Sequence, residues 1–372
     1  MNRENKSMGG KFSQEYFANI DSNDSFFDSL KQDYPGTNNS TGFCKWFAKK
    51  STSNDKAIIF KDGTNIGAFI YLKHENEPIE LTGSTGLPAA DRIKIGTIKI
   101  SDDHRGQRIG EGAIGLALWH WQHSHFNEVY LTVFPKHKQL IKLLLKFGFS
   151  LAGKNRNGEN VYIRSRERLN YSTPYTSFPF VNPDFDYGGY IIFEDSYHDT
   201  MFPYSEVKCS DKKIAELNVA NGLSKVYVSQ APTCNYFVGE PVLIYRKHNG
   251  PGQKIYKSCV TSFCVITNII RVKKHGKSLI PFEKLLEIIG NKSLFDKDYL
   301  RNTYDRGTNV IILELLYCSF FGAGNNVNCA YLQNEGLWAK GGHYPTSTTL
   351  TRSEFESILK RGGLDVQNII VN

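Results

Sequence analysis

A chain of 372 residues, of which 40% are hydrophobic, is long enough to form two domains, each with its own core. The aromatic content of 13% favours β-rich packing over a purely helical bundle, and the formal net charge of +8 is only a mild bias towards anionic partners. The seven cysteines are widely spaced and include no CxxC pair, which argues against a disulfide framework or a zinc site.

The sequence shows no membrane or export segment. No apolar run reaches the roughly 18 residues of a transmembrane helix. Residues 1–10 are polar and lack the apolar stretch of a signal peptide. We therefore expect a cytoplasmic protein with no membrane partner.

The first half alternates between helix-like and strand-like segments. Residues 25–34 have helical spacing after a capping candidate, Asp24, and FCKWFAKKS continues as a second amphipathic helix. The strands KAIIF and IGAFIYLK are joined by the turn KDGTN, and RIKIGTIKIS predicts a further strand with a kink at Gly96. The pattern then predicts a helix in AIGLALWHWQHSHF, a strand in EVYLTVF, a helix ending at Gly148 and a strand in VYIRSR.

A glycine-rich stretch, ISDDHRGQRIGEGAIG, stands between a predicted strand and a predicted helix. Glycine costs about 1 kcal/mol relative to alanine inside a helix, so Gly106, Gly110 and Gly112 indicate that bare backbone is needed there. The first N–H groups of a helix have no partner and carry partial positive charge, which favours an anion such as a pyrophosphate. The stretch has neither a GK[ST] motif nor a GxGxxG motif directly after the strand. A solvated surface turn is the alternative.

The motif QRIGEG, residues 107–112, resembles the Q/R-x-x-G-x-G/A signature of the GNAT N-acetyltransferase superfamily. It lies where that family has it, after the fourth strand and at the start of the third main helix. Downstream, VYLTVFPKHKQLIKLLLKFGF is similar to the family's fifth strand and fourth helix, which end at Gly148 and Phe149. The resemblance covers roughly residues 55–166. It implies an α/β (α+β) fold, a mixed twisted sheet flanked by helices, with acetyl-CoA as co-substrate.

The resemblance also assigns a coenzyme site. It implies that Ile98 and Ile100 pair their backbone with the pantetheine arm, which enters where the fourth and fifth strands separate. Arg105 and Arg108 would add charge near the pyrophosphate, and Glu111 would point outward. The backbone amides that would hold the pyrophosphate are those of Gln107, Arg108, Ile109, Gly110, Glu111 and Gly112.

Catalytic residues are not assigned by the sequence. A lysine amine is only about 0.04% neutral at pH 7, so a base or a water relay is useful, as is an acid for the leaving thiolate. Where many relatives have a tyrosine in the fourth helix, this chain has Leu144. Tyr130, Thr132 and His137 are candidate acids, and each has an alternative as a structural residue. The candidate bases, which have an alternative as solvated loop charges, are Glu75, Glu77, Glu80 and His104.

The segment WHWQHSH places His120 and His123 three residues apart on a predicted helix, where they can share a face. A metal site would need cysteine or carboxylate support nearby. We favour an amphipathic helix end with basic side chains near its C-terminus, and we expect no metal.

The composition changes between the halves. Residues 167–189 contain several prolines and little periodicity, which predicts domains at 1–166 and 190–372 joined by this linker. The second half is mostly short strands, with helices at PFEKLLEIIG and TRSEFESILKRGG. It predicts a small open or β-barrel-like domain with flanking helices.

The second half resembles PUA-like modules of the ASCH and EVE type, in which a G-[DE]-x-V-x-x-Y strand crosses a small barrel. Gly239, Glu240, Val242 and Tyr245 fit that pattern. The resemblance implies binding of RNA or modified bases through an aromatic pocket in a basic surround. The alternative is that the aromatic residues form core and the basic loop is solvated. The candidate contacts are Ser229, Gln230, Tyr236, Trp338 and Tyr344, with Arg271, Lys273 and Lys274 for phosphates.

The resemblances together predict an acetyl-CoA-dependent N-acyltransferase acting on a primary amine. The acceptor would be RNA, an aminoacyl-tRNA or a modified base presented by the second half. A toxin-like role with an antitoxin partner follows by analogy only. Two alternatives stay open: a protein lysine or small amine as acceptor, and a non-catalytic sensor that binds acyl-CoA.

Overall fold

The computed structural model describes residues 11–36, 41–104, 106–205, 218–339 and 348–371. The described structure consists mainly of two β-sheets and the helices packed on them. Within these residue ranges, no helix combines the length and the apolarity needed to cross a membrane. None of the described cysteines is paired in a disulfide.

The first sheet is formed by the first half of the chain. Its strands are β1 (Lys11–Tyr16), β2 (Lys56–Asp62), β3 (Asn65–Glu75), β4 (Arg92–Ile100), β5 (Glu128–Val133), β6 (Ser150–Lys154) and β7 (Asn160–Ser165). Their order is β1-β2-β3-β4-β5-β7-β6, and every neighbouring pair is antiparallel except the parallel pair β4 and β5. The helices of this half are α1 (Asp28–Asp33), α2 (Phe43–Thr52), α3 (Ile109–His123) and α4 (Lys138–Lys146).

The predicted elements of this half are present, and β1 and β6 are additional. Both are short and contain no β-branched residue, so neither carries a clear strand pattern. The kink predicted at Gly96 is confirmed. Tyr71 pairs with Thr97 and Leu72 with Ile95, so Gly96 is the extra residue of a β-bulge.

The second sheet is formed by the second half. Its strands are β8 (Tyr187–Glu194), β9 (Ser224–Ser229), β10 (Pro241–Lys247), β11 (Cys259–Lys274), β12 (Lys277–Ser278), β13 (Val310–Phe320), β14 (Val327–Asn328) and β15 (Leu350–Thr351). Their order is β15-β8-β10-β11-β13-β9, with β12 and β14 also paired to β11. The strands β8 and β10 are parallel, and the other pairs are antiparallel.

The helices that follow β7 in the chain are short. They are α5 (Pro174–Ser177), α6 (Asp195–Met201), α7 (Asn218–Asn221), α8 (Lys254–Lys257), α9 (Phe282–Ile289), α10 (Lys297–Arg306), α11 (Cys329–Asn334) and α12 (Arg352–Arg361). The two helices predicted in this half are α9 and α12. The others are shorter or mostly polar, and an apolar period is hard to detect over so few residues. The fold class is thus the predicted one, with mixed sheets flanked by helices.

The helix α3 lies between the two sheets. Ten of its 15 residues are buried, as expected for a helix that is covered on more than one side. Its Trp119 indole donates to the carbonyl oxygen of Cys318 on β13 at 2.6 Å, and a side chain at Gly115 would meet Leu223 at 2.7 Å. One continuous core cluster includes residues of both sheets. The second sheet covers the side of the helix that faces away from the first, so the exposed side chains lie at its C-terminal end. His120 and His123 are exposed in the last turn there, which confirms the predicted amphipathic helix end with basic side chains.

The stretch 167–189, predicted to be a linker, packs into the same core. Phe178, Phe180 and Val181 are buried in it, and Val181 forms a β-bridge with Ile370 near the C-terminus. The strand β8 begins at Tyr187, inside the stretch. The domain boundaries themselves stay a prediction.

Candidate functional site

The parallel strands β4 and β5 separate along their length. Residues 92–95 of β4 pair with residues 128–131 of β5. Beyond that segment, the described pairing of β4 is with β3, and that of Thr132 and Val133 is with β7. A gap therefore opens between the two strands, with the half-buried Ile98 and Ile100 on its β4 side. Backbone groups on that edge of β4 are free to pair with an extended ligand.

The glycine loop, residues 106–112, follows β4 at the open end of this gap. Gly106 has a φ of 81° with open space around it, which favours glycine. Arg108 is the N-cap of α3 and has a φ of 61°. The N–H groups of Ile109, Gly110 and Glu111 follow in the first turn, where no helical carbonyl precedes them. This loop can hold an anion at the end of the gap. Arg105 lies outside the described residues.

The side chains of Arg108 and Glu111 turn towards the second half of the chain. Each is about 10% exposed, and their charged groups are 3.1 Å apart. Arg108 donates to the hydroxyl of Ser224 at 2.5 Å, and Glu111 accepts from the Ser224 N–H at 3.0 Å. Burial raises the pKa of Glu111, but Arg108, Lys146 and Ser224 lower it to a net value below the ordinary one. The outward orientation predicted for Glu111 is therefore wrong, because β9 begins directly against this turn. Arg108 can still serve the coenzyme through its backbone, whereas its guanidinium is held by Glu111 and Ser224.

Two glycines of the motif have different environments. A Cβ atom at Gly110 would lie 3.5 Å from Leu143 Cδ2, an ordinary contact. A Cβ atom at Gly112 would collide with the carbonyl oxygen of Asn221. Gly112 is thus required for close packing against the second half, a reason that the sequence did not reveal.

A cavity of about 190 Å³ opens beside the gap. Successive strand residues face opposite sides of a sheet. Val129 and Leu131 pack in the core that contains α3, so Tyr130 and Thr132 face the cavity on the other side. The lining residues are Glu75, Glu77, Pro78, Ile79, Glu80, Lys94, Tyr130, Thr132, Asn155 and Val161.

The structure brings together two of the candidate catalytic residues, Glu75 and Tyr130. The Tyr130 hydroxyl donates to Glu75, which is also paired with Lys73 and lies 3.5 Å from Lys94 Nζ. Burial and the neighbouring Glu75 raise the pKa of Tyr130. Burial also raises the pKa of Glu75, but the hydrogen bonds from Lys73 and Tyr130 and the charge of Lys94 bring it below the ordinary value. At neutral pH this is an ionised carboxylate bonded to a protonated phenol, which can pass on a proton.

A second polar cluster borders the cavity and was not predicted. Glu159 is 4% exposed and accepts hydrogen bonds from Tyr34 at 2.6 Å, Thr132 at 3.2 Å and Asn155 at 2.8 Å. Burial and the Glu159 carboxylate raise the pKa of Tyr34. In the sequence, Glu159 follows Asn157 and Gly158 and reads as a solvated hairpin turn, so no pattern marks it as buried.

The other candidates lie elsewhere. His104 is buried against Phe60 and 3.4 Å from Asp62, next to Gly67 at the far end of β3 from Glu75. His137 is exposed at the start of α4 and lies 3.1 Å from Asp33. Glu77 and Glu80 line the cavity, where Glu80 pairs with Arg156. Leu144 is fully buried in the core.

The histidines of α3 form no metal cluster. His123 Nδ1 lies 2.7 Å from the carbonyl oxygen of Trp119, and the His120 ring lies beside His74. Across the described ranges, no group of three or more histidine, cysteine or carboxylate side chains is arranged to hold a metal ion.

Two of the candidate nucleic-acid contacts of the second half, Ser229 and Arg271, pair with the same residue of β13, Ile311, whereas two others are buried. Trp338 is buried against Tyr190 and Tyr245, and Lys273 is buried with its ammonium donating to the Tyr304 carbonyl oxygen at 2.6 Å. The roles predicted for these two are therefore wrong: the ring belongs to the core and the ammonium caps the C-terminus of α10.

The remaining candidates of this set are at or near the surface. Gln230 and Lys274 are exposed, and Ser229 and Arg271 are half-buried. Tyr236 donates to the Tyr190 carbonyl oxygen at 2.7 Å. Tyr344 lies outside the described residues.

Comparison with known structures finds matches that each cover less than half of this chain. A mutant ASCH protein from Zymomonas mobilis is 11% identical, with 46% of this chain and 94% of that protein covered and a TM-score of 0.30. Naa50 from Arabidopsis thaliana, in complex with a bisubstrate analogue, is 18% identical, with 41% and 98% covered and a TM-score of 0.28. Ard1 from Thermoplasma volcanium is 11% identical, with 42% and 97% covered and a TM-score of 0.29.

Sequence comparison is informative for the first half. No curated protein matches the chain. A family model described as "Acetyltransferase (GNAT) family" matches residues 23–149, about a third of the chain. The matched segment runs from α1 to the end of α4 and includes the strand gap and the glycine loop. Residues 23–149 are therefore a domain of the GNAT acetyltransferase family.

Proposed function

We propose that the chain transfers an acetyl group from acetyl-CoA to a primary amine. The observation that supports this most strongly is the gap between β4 and β5, which connects the glycine loop at one end with the Glu75–Tyr130 cavity beside it. An acyl donor with a long arm and a pyrophosphate needs the strand gap for its arm and the glycine loop for its pyrophosphate, one following the other. The acceptor amine needs a cavity where the arm ends.

The residues for the coenzyme are those of the glycine loop and of β4. The pyrophosphate would bind at the N–H groups of Ile109 and Gly110, and the pantetheine arm would pair with the backbone of Ile98 and Ile100. The coenzyme supplies a thioester whose acyl group is open to attack by an amine. The Glu111 N–H would add to those of Ile109 and Gly110. The N–H groups of Gln107 and Gly112 already donate to the carbonyl oxygens of His104 at 3.3 Å and Arg108 at 3.2 Å, so these two residues shape the loop and do not bind the pyrophosphate.

Glu75 and Tyr130 serve as the proton route in this proposal. A protonated amine in the cavity gives one proton to the Glu75 carboxylate, directly or through the Tyr130 hydroxyl. Its nitrogen then attacks the thioester carbonyl carbon, the C–S bond breaks, and the second ammonium proton leaves with the thiolate as a thiol. This route replaces the tyrosine that the resemblance expects where Leu144 stands, and it favours an enzyme over a non-catalytic sensor.

The acceptor proposed is a cationic amine, of a protein or a small molecule. Three carboxylates, those of Glu75, Glu77 and Glu80, line the cavity together with one ammonium group, that of Lys94. The net negative charge of this lining attracts a cationic amine and opposes a phosphate. An RNA-linked acceptor and an antitoxin partner remain predictions from the sequence, supported only by the exposed basic residue Lys274 and the net charge of +8.

The test is transfer of label from radiolabelled acetyl-CoA. The purified chain is incubated with total protein, with a polyamine mixture or with total RNA. Gly110→Glu places a carboxylate at the pyrophosphate position and should abolish transfer, whereas Gly110→Ala, for which there is room, should retain it.

Each outcome is decisive. Label in protein or polyamine that is lost only in Gly110→Glu supports the proposal. Label in RNA alone supports the acyltransferase and overturns the cationic acceptor. If the chain binds the coenzyme but transfers no label to protein, polyamine or RNA, the proposed activity is overturned in favour of a sensor. If the chain does not bind the coenzyme, the proposed coenzyme site is overturned.

A further inference from the structure

Residues of the second half hold the glycine loop of the first. Asn221, Gly222, Ser224 and Asn291 each contact residues 106–112, more than a hundred positions away in sequence. We propose that the second half is a positioning element of the coenzyme site, in which Ser224 and Asn291 keep the loop in its anion-binding conformation. This inference rests on the proposed function and deepens it.

The first contact stabilises Arg108 in an unusual backbone conformation. Its φ of 61° is left-handed, which a non-glycine residue adopts only when its surroundings hold it there. The guanidinium donates to both the hydroxyl and the carbonyl oxygen of Ser224, and Glu111, in the first turn of α3, accepts from the Ser224 N–H. Because Arg108 is the N-cap of α3, its conformation sets the direction of the first-turn N–H groups.

The second contact orients the peptide groups of the loop. The Asn291 amide donates to the carbonyl oxygen of Gly106 at 2.8 Å, and the Asn221 amide reaches that of Gln107 at 3.4 Å. In a trans peptide group the C=O and N–H bonds point in opposite directions. Drawing the Gln107 carbonyl towards the second half therefore directs the N–H of Arg108 away from it.

Two glycines make this approach possible. A Cβ atom at Gly112 would collide with the Asn221 carbonyl oxygen, and one at Gly222 would collide with the Arg108 guanidinium. The interface is close-packed on both sides, so the loop cannot shift without moving α7 and β9. Coenzyme binding should therefore stabilise the ordered conformation of residues 221–224. Because such coupling is reciprocal, that conformation should in turn strengthen coenzyme binding.

The experiment measures the dissociation constant of coenzyme A for the full chain and two variants. Ser224→Ala removes the hydroxyl that binds Arg108, and Asn291→Ala removes the amide that binds Gly106. We expect each to weaken binding about fivefold, the effect of one net hydrogen bond, and to raise KM for acetyl-CoA with kcat little changed. Ser293→Ala is the matched control, because Ser293 shares the connection with Asn291 and its hydroxyl accepts locally from the Phe295 N–H. Ser224→Thr keeps the hydroxyl and should restore binding.

A second measurement separates positioning from stability. Hydrogen exchange at residues 221–224 should slow when coenzyme A binds, although these residues lie outside the matched GNAT segment. Variants that lower the melting temperature but leave the dissociation constant unchanged would show a structural role only and overturn the inference. Unchanged binding in stable variants would do the same. If the unmodified chain fails to bind coenzyme A, the proposed function fails first and the inference with it.

Discussion

The Trp119 indole N–H lies 2.6 Å from the Cys318 carbonyl oxygen, which joins the central helix of the first half to a middle strand of the second. Both residues are buried, and one core cluster continues from the first sheet through α3 into the second. The two halves therefore share a core, unlike domains that meet only across a surface interface.

Shared packing predicts that the halves unfold together. Trp119→Phe removes the indole donor and leaves a buried carbonyl without its partner, which we expect to lower the free energy of unfolding by about 1 to 3 kcal/mol. Denaturant unfolding should remain one transition. Trp46→Phe, in the separate core under α2, is the control and should affect only its own surroundings. Two separated transitions in the unmodified chain would contradict the shared core.

The Tyr130 hydroxyl is predicted to carry the acceptor's proton. Tyr130→Phe removes the relay to Glu75, and we expect kcat to fall by roughly 10²-fold with a smaller change in KM for acetyl-CoA. Tyr162→Phe on β7, whose ring packs in the core cluster, is the matched control. Steady-state kinetics with the best amine acceptor measures this. Equal kcat values for the two variants would remove Tyr130 from the proposed route.

Glu159 is predicted to hold the far wall of the cavity together. Glu159→Ala deprives Tyr34, Thr132 and Asn155 of a common acceptor, and we expect a loss of about 2 to 3 kcal/mol of unfolding free energy. Glu80→Ala removes an exposed ion pair with Arg156 and should cost less than about 1 kcal/mol. Denaturant midpoints of the two variants, measured side by side, test the difference. A Glu159→Ala midpoint equal to that of Glu80→Ala would refute the role.

Glu240 is predicted to make the stability depend on pH. Burial raises its pKa from 4.5 to about 7, although a hydrogen bond from the Phe237 N–H opposes the shift. Between these values the folded state binds more protons than the unfolded state, so this contribution is present below pH 4.5 and is lost as the pH rises through 7.

Removing the charge should remove that dependence. Glu240→Gln cannot ionise, so we expect it to gain roughly 1 to 2 kcal/mol relative to the unmodified chain at pH 8, after allowance for solvent screening, and nothing at pH 4. The exposed Glu335→Gln is the control. Guanidinium unfolding at both pH values measures the gain, and an equal difference at the two would argue against a raised pKa.

The sequence by itself determined the place of the glycine loop and the elements of the first half other than β1 and β6. Helical period, strand alternation and the bulge at Gly96 depend on neighbours in the chain, so they can be read from short segments. The same holds for the family of residues 23–149, because its signature lies within six consecutive positions, 107–112.

Only the tertiary structure decided how those residues are used. Glu111 turns inward because Ser224 meets it, Gly112 is needed because Asn221 approaches it, and Glu159 is buried because Tyr34 and Thr132 converge on it. In each of the contacts Glu111–Ser224, Gly112–Asn221 and Tyr34–Glu159, the two residues are more than a hundred positions apart in sequence. The contacts of Glu111 and Gly112 depend on how the two sheets close around α3, and that of Glu159 on how distant segments of the first half meet. No pattern within one segment encodes either.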